Sequence, residues 1–177
     1  VIKSDDFDSI EYTIAEGQGK LLFNILSQYS NPIGSLIREV TTNAFDSHIE
    51  AGIKKPVDVA IKGGTFTKND TVFSVTDYGV GLSPERVKTI YSKFLASTKR
   101  DSNEQHGAFG LGSKSPLSYC DMFYVTTVHD GVKYTYIISK GQQAPEIDLV
   151  SRDFVDMSNR TTIEVPIKSG DKEQFKT

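Results

Sequence analysis

Apolar positions along the chain fall into helical spacing early and strand alternation late. Residues 1–10 are acidic and polar, and Glu11-Tyr12-Thr13-Ile14 alternates as a short strand would. Leu21, Leu22, Ile25 and Leu26 predict a helix from Gly19 to Ser27. Asn31-Pro32 predicts the start of a second helix, with Asn31 as N-cap and an apolar stripe of Ile33, Leu36, Ile37, Val40 and Ala44. That helix runs to about Glu50, and Gly52 stops it. After Pro56 the period changes to two. Val57, Val59 and Ile61 alternate, Gly63-Gly64 turns, and a second strand through Val72–Thr76 ends at Asp77-Tyr78-Gly79-Val80-Gly81. Ser83-Pro84-Glu85 starts a third helix carrying Val87, Ile90, Tyr91 and Phe94.

Residues Ser97 to His106 break every period and read as a mobile loop. Three glycines follow within Gly107-Ala108-Phe109-Gly110-Leu111-Gly112, and then Ser113-Lys114-Ser115-Pro116. Ser115 reads as the N-cap and Pro116 as the first residue of a helix. A glycine loop running into a helix presents free backbone N–H groups, as a phosphate seat does, although a tight turn also needs such glycines. From Met122 the chain is β-rich: Phe123–Val128, a turn at Asp130-Gly131, a return strand Val132–Ile138, and strands at Ile147–Val150 and Thr161–Ile167. Helices first and antiparallel strands later predict an α+β two-layer sandwich, one domain over residues 1–177.

Composition narrows the classes. With 37% hydrophobic and 24% charged residues the chain is globular, and a net charge of −3 gives no overall basic surface for nucleic acid. Cys120 is the single cysteine, which excludes an internal disulfide and a cysteine-rich zinc site. No apolar run reaches membrane-spanning length.

Three stretches carry candidate chemistry. Glu39, Asn43 and Asp46 stand at i, i+4 and i+7 of the second helix and share a face. Such a row is either a solvated face or a site where the Asn oxygen holds Mg²⁺ and the Glu activates water. Asp77, at a strand end before Gly79 and Gly81, is either part of a turn or an acceptor for a ligand amine. The glycine loop departs from a P-loop because Ser113 separates Gly112 from Lys114 and no strand precedes it. Its order, Gly-x-x-Gly-x-Gly, also departs from the dinucleotide fingerprint. His48, His106 and His129 have no metal-ligand spacing and read as structural or exposed, and Lys114 reads as an exposed helix-start lysine.

Taken in order, these stretches resemble the GHKL (Bergerat-fold) family of ATP-binding domains, which includes gyrase, the Hsp90 chaperones, histidine kinases and MutL proteins. Glu39–Asp46 is similar to its N-box, Asp77–Gly81 to its adenine box, Gly107–Gly112 to its phosphate loop, and Asn159-Arg160-Thr161-Thr162-Ile163 to its late Thr box. Phe94–Lys99 and Gly107–Tyr119 resemble more closely the N-terminal domain of the phage rapid-lysis A proteins of the rII type (rIIA-like). The resemblance implies a sheet covered on one face by helices, and ATP or ADP with Mg²⁺ as ligands. It implies Glu39 as general base, Asn43 as the Mg²⁺ ligand, and Asp77 as partner of the adenine amine, with Gly79, Gly81 and Thr161 beside it. Gly107, Gly110, Leu111, Gly112 and Ser113 would hold phosphates, and Lys99 would reach them from a lid over Ser97–His106. Asp46 would orient the helix rather than bind metal.

Glu39 and Asp46 favour the hydrolysing branch over histidine kinases, which usually lack the Glu and carry Lys near the second position. Hydrolysing relatives use a basic residue from a following transducer domain. A chain running from Val1 to Thr177 is therefore expected to be an N-terminal fragment that turns over slowly. The resemblance also implies pairing of two copies on ATP binding, a host or phage protein partner, and a place in the infected bacterial cytoplasm, at most peripheral to the membrane.

Overall fold

A computed structural model describes residues 18–65, 70–92, 111–141 and 145–176. The alternation at Glu11–Ile14, the Ser97–His106 lid, Lys99, Gly107 and Gly110 lie outside the described residues. Helices α1 (Gln18–Ser27), α2 (Pro32–Ala51) and α3 (Pro84–Ser92) accompany six strands: β1 (Asp58–Gly63), β2 (Thr71–Asp77), β3 (Met122–His129), β4 (Val132–Ser139), β5 (Glu146–Phe154) and β6 (Arg160–Pro166). Two 3₁₀ segments, Gly112–Ser118 and Lys172–Phe175, complete the described chain. The strands form one antiparallel sheet in the order β1-β2-β6-β3-β4-β5. The result is the expected α+β sandwich. No helix among the described residues is long and apolar enough to cross a membrane.

Local chemistry sets the ends of α2. Asn31 Oδ1 accepts the Gly34 N–H at 2.8 Å, and Gly52, at φ +67°, closes the helix in the left-handed region that glycine adopts without strain. Asp130 and Gly131 both have positive φ, 49° and 76°, which gives the β3–β4 hairpin the twist its strands need.

The sheet register explains where the core stops. Paired residues face the same side of a sheet, so β2, β6 and β3 present aligned rows. Val75, Ile163 and Val125 form one row, and Tyr136 of β4 continues it. The next row outward is Asp77, Thr161 and Thr127, continued by Tyr134. The helix-facing side is therefore apolar along most of its length and polar at its last row. Leu36, Val40 and Ala44 of α2 pack over the apolar rows with Leu22 and Leu26 of α1. β1 lies at the sheet edge, which leaves Val59 exposed despite its alternation. β5 continues past the expected Val150 to Phe154, because a bulge opposite Thr135/Tyr136 interrupts its period.

The segment after the glycine loop departs from expectation. It is a 3₁₀ segment that starts at Gly112, not an α-helix capped by Ser115. Ser115 Oγ is buried and caps nothing, and Pro116 lies inside the segment, where its missing N–H denies an α-helical bond to Gly112. Lys114 corrects a second expectation, since it is buried rather than exposed. Its Nζ donates to the Ile90 carbonyl at 2.8 Å, which ties the segment to α3, and burial pushes its pKa down to about 8. Cys120 is buried at the segment's end, and burial pushes its thiol up to about 12.

Lys114 gives a pH test. The unfolded ammonium titrates near 10.5 and the folded one near 8, so between these values the unfolded chain binds more protons and folding gains stability as pH rises. Thermal unfolding of Lys114→Met should therefore lose that alkaline gain relative to wild type. Parallel curves for the two proteins from neutral pH to about pH 10 would refute it.

Candidate functional site

The polar row at the sheet end forms one wall of a cavity of about 400 Å³, and α2 forms another. Glu39, Asn43, Asp46 and Ser47 face it from α2, Asp77 from β2, Thr161 from β6, and Gly112 and Ser113 from the 3₁₀ segment. Val75, Leu82, Ile90, Tyr91, Phe123 and Ile163 supply apolar surface. Such a wall of apolar side chains with a few converging polar groups suits a small ligand with a flat apolar part and a polar end.

Asp77 is buried, and two donors meet on one of its oxygens. Ser47 Oγ lies 2.9 Å from Asp77 Oδ1 and the Gly79 N–H lies 3.0 Å from the same atom. Burial raises the Asp77 pKa, while the Gly79 N–H, the Ser47 hydroxyl and His48 pull it back. Tyr91 is pushed up as well, by burial and then by the Asp77 charge.

Gly79 and Gly81 lie behind this wall and do not line the cavity. A side chain at Gly79 would meet the Ser47 side chain and carbonyl, and one at Gly81, at φ +67°, would meet the Val128 carbonyl. The loop they belong to is pinned on both sides. Its Tyr78 N–H donates to His48 Nε2 at 2.8 Å, and its Leu82 N–H donates to Thr127 Oγ1 at 2.8 Å. Asn159 Nδ2 donates to the Val80 carbonyl at 2.9 Å. Thr127 Oγ1 also lies 3.3 Å from Thr161 Oγ1, so the last sheet row is joined to the loop.

Glu39 sits against Gly112: a Cβ built there would lie 2.5 Å from Glu39 Oε2. Its other oxygen accepts from Arg38 Nη2 at 2.9 Å and Nε at 3.3 Å. Leu111 packs toward the core and does not line the cavity. Among the described residues no cluster of three or more His, Cys, Asp or Glu could hold a metal.

The family described as histidine kinase-, DNA gyrase B- and HSP90-like ATPase matches residues 31–164, which include α2, the Asp77 loop and β6. The chain belongs to this ATPase family. Curated relatives include the B-type subunits of type 2 DNA topoisomerase 6 from two archaea. That of Sulfurisphaera tokodaii is 30% identical over 101 residues, and that of Metallosphaera sedula is 29% identical over 101 residues. The corresponding protein of Saccharolobus solfataricus is 27% identical over 100 residues. Each match covers 55% of this chain and 19% of the relative, so the matched part spans about a fifth of those relatives.

Of the residues singled out from the family pattern, Glu39, Asn43, Asp77, Gly112, Ser113 and Thr161 meet around one cavity. Three contributors were not singled out. Ser47 stands four residues after Asn43, so helical spacing alone could have found it. Thr127 is recognisable only from the register that sets it beside Thr161. His48 proves structural, buried with both ring nitrogens bonded to backbone: Nε2 accepts from Tyr78, and Nδ1 lies 3.0 Å from the Lys55 carbonyl.

Two substitutions separate close packing from charge burial. Gly79→Ala should destabilise the fold by about 1–3 kcal/mol, because the added methyl overpacks the Ser47 backbone. Asp77→Asn should not. A raised carboxyl pKa contributes stability below its ordinary 3.8, and that contribution is lost as pH rises through the folded value. At neutral pH the variant should melt no lower than wild type, and any gap should close on acidification. Lower melting of Asp77→Asn at neutral pH would refute this.

Proposed function

We propose that this domain binds ATP with Mg²⁺ and hydrolyses it slowly. The observation that carries the reading is the convergence of Glu39, Asn43, Asp77, Gly112, Ser113 and Thr161 on one cavity. Membership of an ATPase family supports it. In this reading Asp77 accepts a hydrogen bond from the adenine amine, and Thr161 and Gly81 assist through water. The N–H groups at Gly107, Gly110, Leu111, Gly112 and Ser113 hold phosphate oxygens, with Lys99 reaching from the lid. Gly112 keeps space beside Glu39, which takes the proton of the attacking water as its oxygen bonds to the γ-phosphorus and ADP leaves.

The residues present fit a magnesium ion held mainly by phosphate. Asn43 offers one amide oxygen, and phosphate and water oxygens complete an octahedral set. Bound there, the ion neutralises phosphate charge.

On the closer resemblance, we propose a single domain at the N-terminus of an rIIA-like phage protein in the infected bacterial cytoplasm. ATP would draw two copies together, and a following transducer-type domain and a protein partner would complete the cycle. Solution mass with and without a non-hydrolysable ATP analogue tests the pairing.

A second reading, a nucleotide sensor with little turnover, is favoured by the Arg38–Glu39 contact. The guanidinium sits on Glu39 Oε1 and opposes the negative charge a general base uses. Arg38→Ala should then raise turnover several-fold with nucleotide affinity unchanged; an unchanged or lower rate would remove this reading.

Isothermal titration should detect both ADP and a non-hydrolysable ATP analogue. Glu39→Ala should retain the affinity and lose at least about 100-fold in turnover. Failure of both nucleotides to bind would sink the proposal.

A further inference from the structure

We infer that Ser47 is a positioning residue for base recognition: it fixes which oxygen of Asp77 faces the nucleobase. The inference rests on the reading of Asp77 as the partner of the adenine amine. A carboxylate on a strand end has a broad, two-fold χ2, so either oxygen could face the cavity. Here both donors converge on Oδ1, from Ser47 Oγ at 2.9 Å and from the Gly79 N–H at 3.0 Å. Among the described residues Oδ2 has no hydrogen bond, and it is the oxygen left for a ligand.

The short serine hydroxyl reaches Asp77 only because α2 and the loop lie close together. The Ser47 carbonyl and hydroxyl fill the space that a Gly79 side chain would need. The next residue of the helix holds the other side of the same turn. His48 Nε2 accepts the Tyr78 N–H, so the ring proton is on Nδ1 and is donated to the Lys55 carbonyl at 3.0 Å. The carboxylate and its backbone thus hang on two consecutive residues of α2. Of the two, Ser47 lines the cavity together with Asp77.

A ligand amine donates to Oδ2, whereas a ring carbonyl at the same place, as in guanine, meets a second acceptor. Removing Ser47 Oγ lets the carboxylate turn and share its charge between both oxygens. The loss should appear only for ligands that use the amine.

The test compares ATP with purine riboside 5′-triphosphate, which lacks the exocyclic amine, on wild type, Ser47→Ala, Ser47→Cys and Asp77→Asn/Ser47→Ala. Ser47→Ala should weaken ATP binding about three- to tenfold, the size of one lost hydrogen bond to a charged acceptor, and move the analogue by less than about twofold. Ser47→Cys keeps the volume with a weaker donor, so it should shift ATP in the same direction and carries the test if the alanine variant unfolds. In an Asp77→Asn background the Ser47→Ala effect on ATP should disappear. Equal loss of both nucleotides, or a loss that persists without the Asp77 carboxylate, means a merely structural role and overturns the inference. Wild type that binds the two nucleotides equally, or neither, overturns the Asp77 reading itself and the inference with it.

Discussion

The site depends on one close approach, that of α2 to the loop after β2. At Gly79 the helix and the loop are so near that no side chain fits between them. That contact brings Ser47 and His48 within hydrogen-bonding distance of residues 77–79. It also brings Glu39 and Asn43, on the same face of α2, to the cavity wall opposite the sheet. A helix held even one side chain farther out would leave Asp77 buried with a single donor, which is costly for a charged group.

Sheet register then decides what the cavity can do. Strands β2, β6 and β3 carry apolar residues inward until their last shared row, where Asp77, Thr161 and Thr127 stand side by side. The apolar rows are covered by α1 and α2 and make the core. The polar row is left at the rim, where the cavity opens. Core and site are thus one continuous surface with a change of residue type at one position per strand. A shift of one residue in the β2–β6 pairing would turn Asp77 to the other face and destroy both.

The far wall is built differently. The segment after the glycine loop is a short 3₁₀ turn held by buried Lys114 to the Ile90 carbonyl of α3. Pro116 prevents a regular helix there, and the turn presents Gly112 directly to Glu39. A burial that lowers the lysine pKa is tolerated because the ammonium anchors two elements that share no strand pairing. Rigid attachment of Gly112 keeps the catalytic carboxylate of the proposed reaction beside the phosphate side of the cavity.

Much of this was written in local pattern. The Asn31 cap, the Gly52 stop, the Asp130-Gly131 turn and the inward alternation of β2, β3 and β6 are short-range signals, because each depends on neighbouring backbone dihedrals and side-chain period. The spacing of Glu39 and Asn43 and of Asp77 and Gly81 was legible for the same reason. Local pattern did not reveal that Lys114 is buried, that Ser115 caps nothing, that β5 bulges past Val150, or that Ser47 and Thr127 join the site. Those outcomes depend on which distant segment arrives beside each residue. Sequence by itself determined the elements, their ends and the residue types able to do the chemistry, since these follow from chain-local sterics and hydrogen bonding. Only the tertiary structure decided which oxygen of Asp77 is held, because Ser47 and Asp77 stand 30 residues apart in sequence and meet only when α2 packs on the sheet.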